Sequence, residues 1–125
     1  MKGNFDNTQP IFRQIIDQIL LEIAAGTLPP GAKVAPVREM ALEYKVNPNT
    51  MQKSLAKLEE MGYMYTERTS GRYVTEDKEL IDSLKARLPA QITQKYVADM
   101  LECGIVTGDI LIHLKNYLEK SESSV

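Results

Sequence analysis

The stretch Val46-Asn47-Pro48-Asn49-Thr50-Met51-Gln52-Lys53-Ser54-Leu55 constrains this chain more than any other. It reads as a turn feeding a helix whose first turn faces outward. Asn47 suits the N-cap position, because its side-chain carbonyl can accept an orphan backbone N–H. Pro48 follows at the first helical position, where its missing N–H costs nothing and its fixed φ fits. Met51, Leu55 and Leu58 recur at helical spacing and define a face to be buried. Asn49, Gln52 and Lys53 project polar groups from the other side. Readout of a DNA major groove requires such a layout: Asn and Gln pair with adenine edges, Lys with guanine or phosphate. An ordinary capped surface helix has the same local pattern, so the neighbouring segments decide between the two.

Upstream, Pro10 opens a helix on which Phe12, Ile15, Ile16, Ile19, Leu20 and Ile23 form a broad apolar stripe. Gly26 is placed to stop it as a left-handed cap. Asp17 and Glu22 fall among the polar positions and are expected to be solvated. Thr27-Leu28-Pro29-Pro30-Gly31 reads as a rigid loop, and Lys33-Val34 suits a very short strand. Pro36 starts a second helix, Val37 to Tyr44, with Val37, Met40 and Ala41 inward. Arg38 lies in its first turn, where a cation opposes the helix dipole. A residue that breaks a local rule is a functional candidate, and a phosphate or guanine contact would supply the gain. A salt bridge to Glu39 or Glu43 is the plain alternative. Lys45-Val46-Asn47 is short, so the two helices form a helix-turn-helix. The second is expected to run to about Met61 and stop at Gly62, a length of roughly 20 Å at the helical rise.

After Gly62 the hydrophobic period becomes that of a strand. Tyr63-Met64-Tyr65-Thr66-Glu67-Arg68 alternates, breaks at Thr69-Ser70-Gly71, and resumes as Arg72-Tyr73-Val74-Thr75. This is a hairpin with Gly71 near its tip supplying a positive φ. Arg68 and Arg72 flank the tip. Arginines on a hairpin beside a recognition helix make a wing, which can lie along the phosphate backbone or enter the minor groove. Beyond it, Leu80, Ile81, Leu84, Leu88, Ile92, Tyr96, Val97, Met100 and Leu101 keep helical spacing through Pro89, which should kink or split the segment. Gly104 ends it. Thr107 is expected to cap a last helix with Asp109 in its first turn and Ile110, Leu111, Leu114, Tyr117 and Leu118 on its apolar face. Helices this few cannot bury their stripes on each other. A second copy of the chain is the natural cover, giving a two-fold homodimer.

A chain of 125 residues holds one compact domain with at most a short appendage. No apolar run is long enough to cross a membrane, Met1-Lys2-Gly3-Asn4 lacks a signal-peptide layout, and a single cysteine fits a reducing cytoplasm. Net charge is −2, which argues against nucleic acid until its distribution is read. Residues 33–75 carry seven basic side chains against five acidic, and residues 76–125 six against nine, so the centre is the basic part of an acidic chain. An enzyme is disfavoured. There is no paired-carboxylate pattern, Gly-rich phosphate loop or nucleophile elbow, and Cys103 and His113 lack partners for catalysis or metal binding. No cofactor is implied.

As an ordered set, these segments resemble the GntR family of bacterial transcription regulators, and within it the short YtrA-like members. The resemblance covers about residues 10–75. It rests on Pro10-Ile11-Phe12-Arg13-Gln14-Ile15, Gly26-Thr27-Leu28-Pro29-Pro30-Gly31, Arg38-Glu39-Met40-Ala41, Val46-Asn47-Pro48-Asn49-Thr50-Met51, Leu58-Glu59-Glu60-Met61-Gly62-Tyr63 and Gly71-Arg72-Tyr73-Val74. Three departures stand out. Val34-Ala35-Pro36-Val37 replaces the usual Leu-Pro-Ser run before Arg38, Thr69 takes a usual wing glycine position, and Gln52 stands where several members have arginine. The resemblance implies DNA contacts by Arg38, Asn47, Asn49, Thr50, Gln52, Arg68 and Gly71; helix and hairpin geometry add Lys53 and Arg72. It also implies that the segment after the wing, too short for an effector domain, serves dimerisation.

The expected architecture is therefore mainly α with a small β-hairpin. A flexible arm spans residues 1–9, a winged helix-turn-helix DNA-binding domain 10–76, a helical dimerisation segment 77–120, and a disordered tail 121–125. The expected function is a cytoplasmic, homodimeric, sequence-specific repressor on a two-fold symmetric double-stranded operator, with a small-molecule effector of unknown identity as a candidate partner. The competing reading is a winged-helix protein–protein adaptor that no longer binds DNA.

Overall fold

The computed structural model of the chain describes Phe5 and residues 10–123. The expected arm, Phe5 apart, and the last two residues of the expected tail lie outside the described residues. The order is α1 (Ile11–Ala25), α2 (Val37–Tyr44), α3 (Pro48–Glu60), β1 (Met64–Glu67), β2 (Gly71–Val74), α4 (Lys78–Glu102) and α5 (Thr107–Ser123). This is the mainly helical fold with one hairpin that the periodicities imply. The chain separates into two compact units, residues 1–86 and 87–125. None of the described helices is long and apolar enough to cross a membrane.

In the first unit, α1 turns its stripe inward: Ile15, Ile16, Ile19, Leu20 and Ile23 are buried. Gly26 closes the helix with φ 83°, a conformation that costs glycine little. Helix α3 packs on α1, α2 and β1, so it is the element the others share. Met51, Ser54, Leu55 and Leu58 on its inner face are all fully buried. Ser54 earns its interior place by hydrogen bonding. Its Oγ lies 2.9 Å from the Thr50 carbonyl and 3.1 Å from the Phe12 carbonyl, so its proton can serve either acceptor and tie α3 to the start of α1. Ile81 and Leu84, from the first turns of α4, complete this core.

One expectation fails here. Glu22 is not solvated but buried, at 7% exposure. Its Oε2 accepts a 2.7 Å hydrogen bond from the Tyr44 hydroxyl of α2 and a 3.1 Å bond from Gln18 Nε2. Burial, followed by the bond to Glu22 and the nearby Glu22 and Glu43 charges, pushes the Tyr44 phenol well above its ordinary range, so it remains a neutral donor. The pair cross-links α1 to α2 through the interior.

The hairpin is antiparallel, with Met64 opposite Val74, Tyr65 opposite Tyr73, Thr66 opposite Arg72 and Glu67 opposite Gly71. The Tyr65 and Tyr73 rings stack with centroids 5.6 Å apart. The short strand expected at Lys33-Val34 forms a bridge opposite Tyr73. Hydrogen bonds from Val34 N to the Arg72 carbonyl (2.8 Å) and from Val74 N to the Ala32 carbonyl (2.9 Å) attach this loop to the outer edge of β2.

Helix α4 is continuous through Pro89, so the split that the proline suggested does not occur. Pro89 removes the donor for the Lys85 carbonyl. Residues 85–87, 89 and 90 are all exposed, so water can replace that donor. Gly104, at φ 88°, stops the helix. Thr107, expected as the cap of α5, is its first residue, and α5 reaches Ser123, into the stretch expected as tail.

Replacing Tyr44 by Phe removes a buried donor to a carboxylate, an interaction worth about 1.5–3 kcal/mol. Tyr44→Phe should lower unfolding free energy by roughly that amount. Glu22→Gln, which keeps an acceptor for the phenol, should cost less. Denaturant titration of the three proteins checks the ordering, and equal stability of Tyr44→Phe and wild type would remove the cross-link from the account.

Candidate nucleic-acid interface

The interface is built around the start of α3. Asn47 lies in the extended region, and its Oδ1 accepts the Asn49 backbone N–H at 2.7 Å, with Pro48 at the first helical position. The turn before it is tight. Lys45 has φ 56°, the one non-glycine residue in the left-handed region among those described, and it reverses the chain between α2 and α3. The cap therefore fixes where α3 begins, and the buried Met51, Leu55 and Leu58 fix its roll. Asn49, Gln52 and Lys53 are exposed as a consequence, and Thr50 is half-buried.

Each sequence-derived candidate can now be placed. Asn47 is exposed, but its Oδ1 is occupied as the cap. The Lys53 ammonium sits 4.8 Å from the centroid of the Phe12 ring, a cation–π contact that steadies the side chain beside the start of α1. Arg38 is exposed in the first turn of α2 and makes no ion pair with Glu39 or Glu43 among the described residues, so the plain alternative for it is not realised. Arg68 is exposed in the turn after β1. Gly71 opens β2 with φ 119°, as the wing requires.

Arg72 departs from the expectation of a free wing-tip cation. Its side chain is only 19% exposed, and its Nε donates to Glu59 Oε1 on α3 at 3.2 Å. The same oxygen accepts a 2.7 Å bond from the Thr66 hydroxyl, which stands directly opposite Arg72 in the hairpin. One carboxylate on the recognition helix thus receives both strands of the wing. Donation by Thr66, which outweighs the opposing effect of burial and is joined by the hydrogen bond and charge of Arg72, lowers the Glu59 carboxyl below its usual value. Sequence reading missed Glu59 and Thr66, because neither looks unusual on its own helix or strand. The short strand expected at Lys33-Val34 sets Lys33 beside β2.

Together these elements present an exposed polar helix start, an arginine on the preceding helix with no ion pair among the described residues, and a hairpin braced against α3. Among the described residues no group of three or more His, Cys, Asp or Glu side chains could hold a metal ion.

Residues 12–74 match the bacterial regulatory proteins of the gntR family. The chain belongs to the GntR family. It is 36% identical to the HTH-type transcriptional regulator YhcF of Bacillus subtilis over 95% of this chain and 98% of that one. It is 33% identical to the HTH-type transcriptional repressor YtrA of the same organism, over 70% of this chain and 69% of that protein. A solved GntR family transcriptional regulator from Listeria monocytogenes superposes with a TM-score of 0.79 at 39% identity, covering 90% of this chain and 98% of that one. The protein is thus a DNA-binding transcription regulator of YtrA-like type and not an enzyme, and its two-stranded sheet is the wing of a winged helix-turn-helix.

In this GntR-family regulator the Glu59 brace should be acid-sensitive with a defined sign. Its carboxyl is lowered in the folded state, so the stabilisation is present above the ordinary carboxylate value and is lost as pH falls through the lowered one. Glu59→Gln should therefore show a shallower loss of stability on acidification below about pH 5 than wild type. Denaturant unfolding at several pH values checks this, and parallel curves would dismiss the brace.

Proposed function

We propose that this regulator is a homodimeric repressor that inserts the start of α3 into successive major grooves of a two-fold symmetric operator in the cytoplasm. The observation that carries the reading is the exposed set Asn49, Gln52 and Lys53 on a helix whose opposite face is locked in the core. Asn49 and Gln52 are assigned to base edges and Lys53 to phosphate or guanine. Arg38, Thr50 and the exposed edge of Asn47 contact the backbone or adjacent bases, and Arg68 with Gly71 lays the wing along the phosphates. Arg72 acts by holding the wing to α3. Residues 10–76 are assigned to DNA binding, their core completed by Ile81 and Leu84, and the rest of 77–120 to dimerisation. Repression follows from occluding polymerase, in keeping with the name of YtrA of Bacillus subtilis. A small ligand or partner is then needed to release the operator.

The homodimer is argued from the second unit. Leu111, Ile112, Tyr117 and Leu118 on α5 are each more than half exposed, at 75%, 55%, 61% and 55%. Leu111, Leu114 and Leu118 repeat at the spacing of a helix-docking seam and line a groove of about 270 Å³, with Lys115, Glu119 and Glu122 along it. An apolar seam bordered by both signs of charge is self-complementary, which a two-fold interface requires.

Selection of bound sequences from a random duplex pool tests the whole reading, and a two-fold motif is the expected product. Arg38→Ala should lower affinity for that operator about tenfold or more while the protein stays folded and dimeric; unchanged affinity would remove Arg38 from the interface. Leu111→Asp combined with Leu114→Asp should give monomers in sedimentation, and persisting dimers would move the interface off α5.

A further inference from the structure

We infer that Lys33 is a backbone-phosphate contact of the wing, set between the two regions that the proposed DNA reading assigns to the duplex; the inference rests on that reading. Lys33 lies outside every helix and outside the hairpin itself. Its bridge to Tyr73 places it on the outer edge of β2, the strand that begins at Gly71. A Cβ built on Gly71 would come within 3.3 Å of Lys33 Cε, so the end of the lysine stem lies close against the backbone of the wing at Gly71. The side chain is therefore directed along the wing, and fixing it on a phosphate costs less rotamer freedom than for a lysine in open solvent.

The surroundings give the position its meaning. Residues 33–37 on one side and Thr66 with residues 70–72 on the other line a cleft of about 370 Å³. One wall leads into the first turn of α2, where Arg38 is exposed, and the other is the wing. A duplex that touches both Arg38 and the wing must pass over the mouth of this cleft. Lys33 is exposed and makes no ion pair among the described residues, whereas Arg72 in the same cleft is already paired with Glu59. Lys33 thus supplies a cation there that no described carboxylate compensates. A point charge on a strand edge has no base edge to read, so its contribution is to affinity and register and not to sequence preference.

The test compares wild type, Lys33→Met and Lys33→Arg on two duplexes, the selected operator and a scrambled one, at several salt concentrations. Methionine keeps an unbranched stem over Gly71 and removes only the charge. Lys33→Met should bind both duplexes several-fold more weakly to a similar degree. The slope of log affinity against log salt should become shallower by about 1.8, since the dimer loses two phosphate contacts at about 0.9 each on B-DNA. Lys33→Arg should restore both. Thermal unfolding should be alike for all three proteins. If wild type binds the operator and Lys33→Met has the same slope, or loses affinity for the operator alone, the assignment of Lys33 falls and the DNA reading stands. If wild type binds no duplex at any salt, both fall together.

Discussion

A helix can hold a polar face toward a ligand only if its opposite face is fixed, and the packing of α3 meets that condition. Met51, Leu55 and Leu58 are fully buried. Each contributes roughly 1.5–3 kcal/mol through removal from water, whereas a surface cation–π contact such as Lys53 on Phe12 contributes about 0.5–1 kcal/mol. The roll of the helix is thus decided by residues that never meet DNA. The polar residues inherit a direction they could not enforce themselves. Ser54 sharpens this, since its hydroxyl reaches the Phe12 carbonyl and couples the axial position of α3 to α1.

Two carboxylates extend the same logic to the neighbours of α3. Glu22 receives the Tyr44 hydroxyl and joins α2 to α1, while Glu59 receives Thr66 and Arg72 and joins the wing to α3. They differ in setting. Glu22 is buried, so its hydrogen bonds replace lost hydration and breaking them carries a desolvation cost. Glu59 is 37% exposed, so solvent weakens its ion pair and its value lies more in geometry than in stability. The Glu59 bond is a supplement to the seating of the wing, because Met64 and Val74 are buried and β2 is already hydrogen-bonded to the loop before α2.

The parts legible in the sequence are those with a local cause. The apolar stripe of α1, its Gly26 cap, the Asn47-Pro48 start of α3 and the change of period after Gly62 each lie within a few residues, and each appears as read. What was not legible depends on partners far along the chain. Glu22 occupies a polar slot in its own helix, and nothing local reveals a tyrosine 22 residues away. Arg72 looked like a wing cation because its partner sits 13 residues earlier on another element. Pro89 was read by its propensity, whereas the exposed surface around it lets water satisfy what the proline leaves unmade.

The charge balance looks different once pairing is known. A chain of net charge −2 is an unpromising DNA ligand by its total. Charges more than a Debye length from the phosphates, about 10 Å at 0.1 M salt, are largely screened, so the local count governs binding. In that count Arg72 is largely neutralised by Glu59 and adds little to phosphate attraction. Arg38 and Arg68 are exposed and have no ion pair among the described residues, and Lys53 is held over an aromatic ring that leaves its charge intact. A recognition surface with so few free cations per protomer gains modest affinity from any one duplex contact. In the proposed homodimer two protomers on one operator would double the number of phosphates neutralised, and the exposed leucines of α5 fit that proposal. The acidic excess of residues 76–125 is then compatible with DNA binding, because in the proposed dimer that segment brings a second recognition helix to the duplex and does not touch the duplex itself.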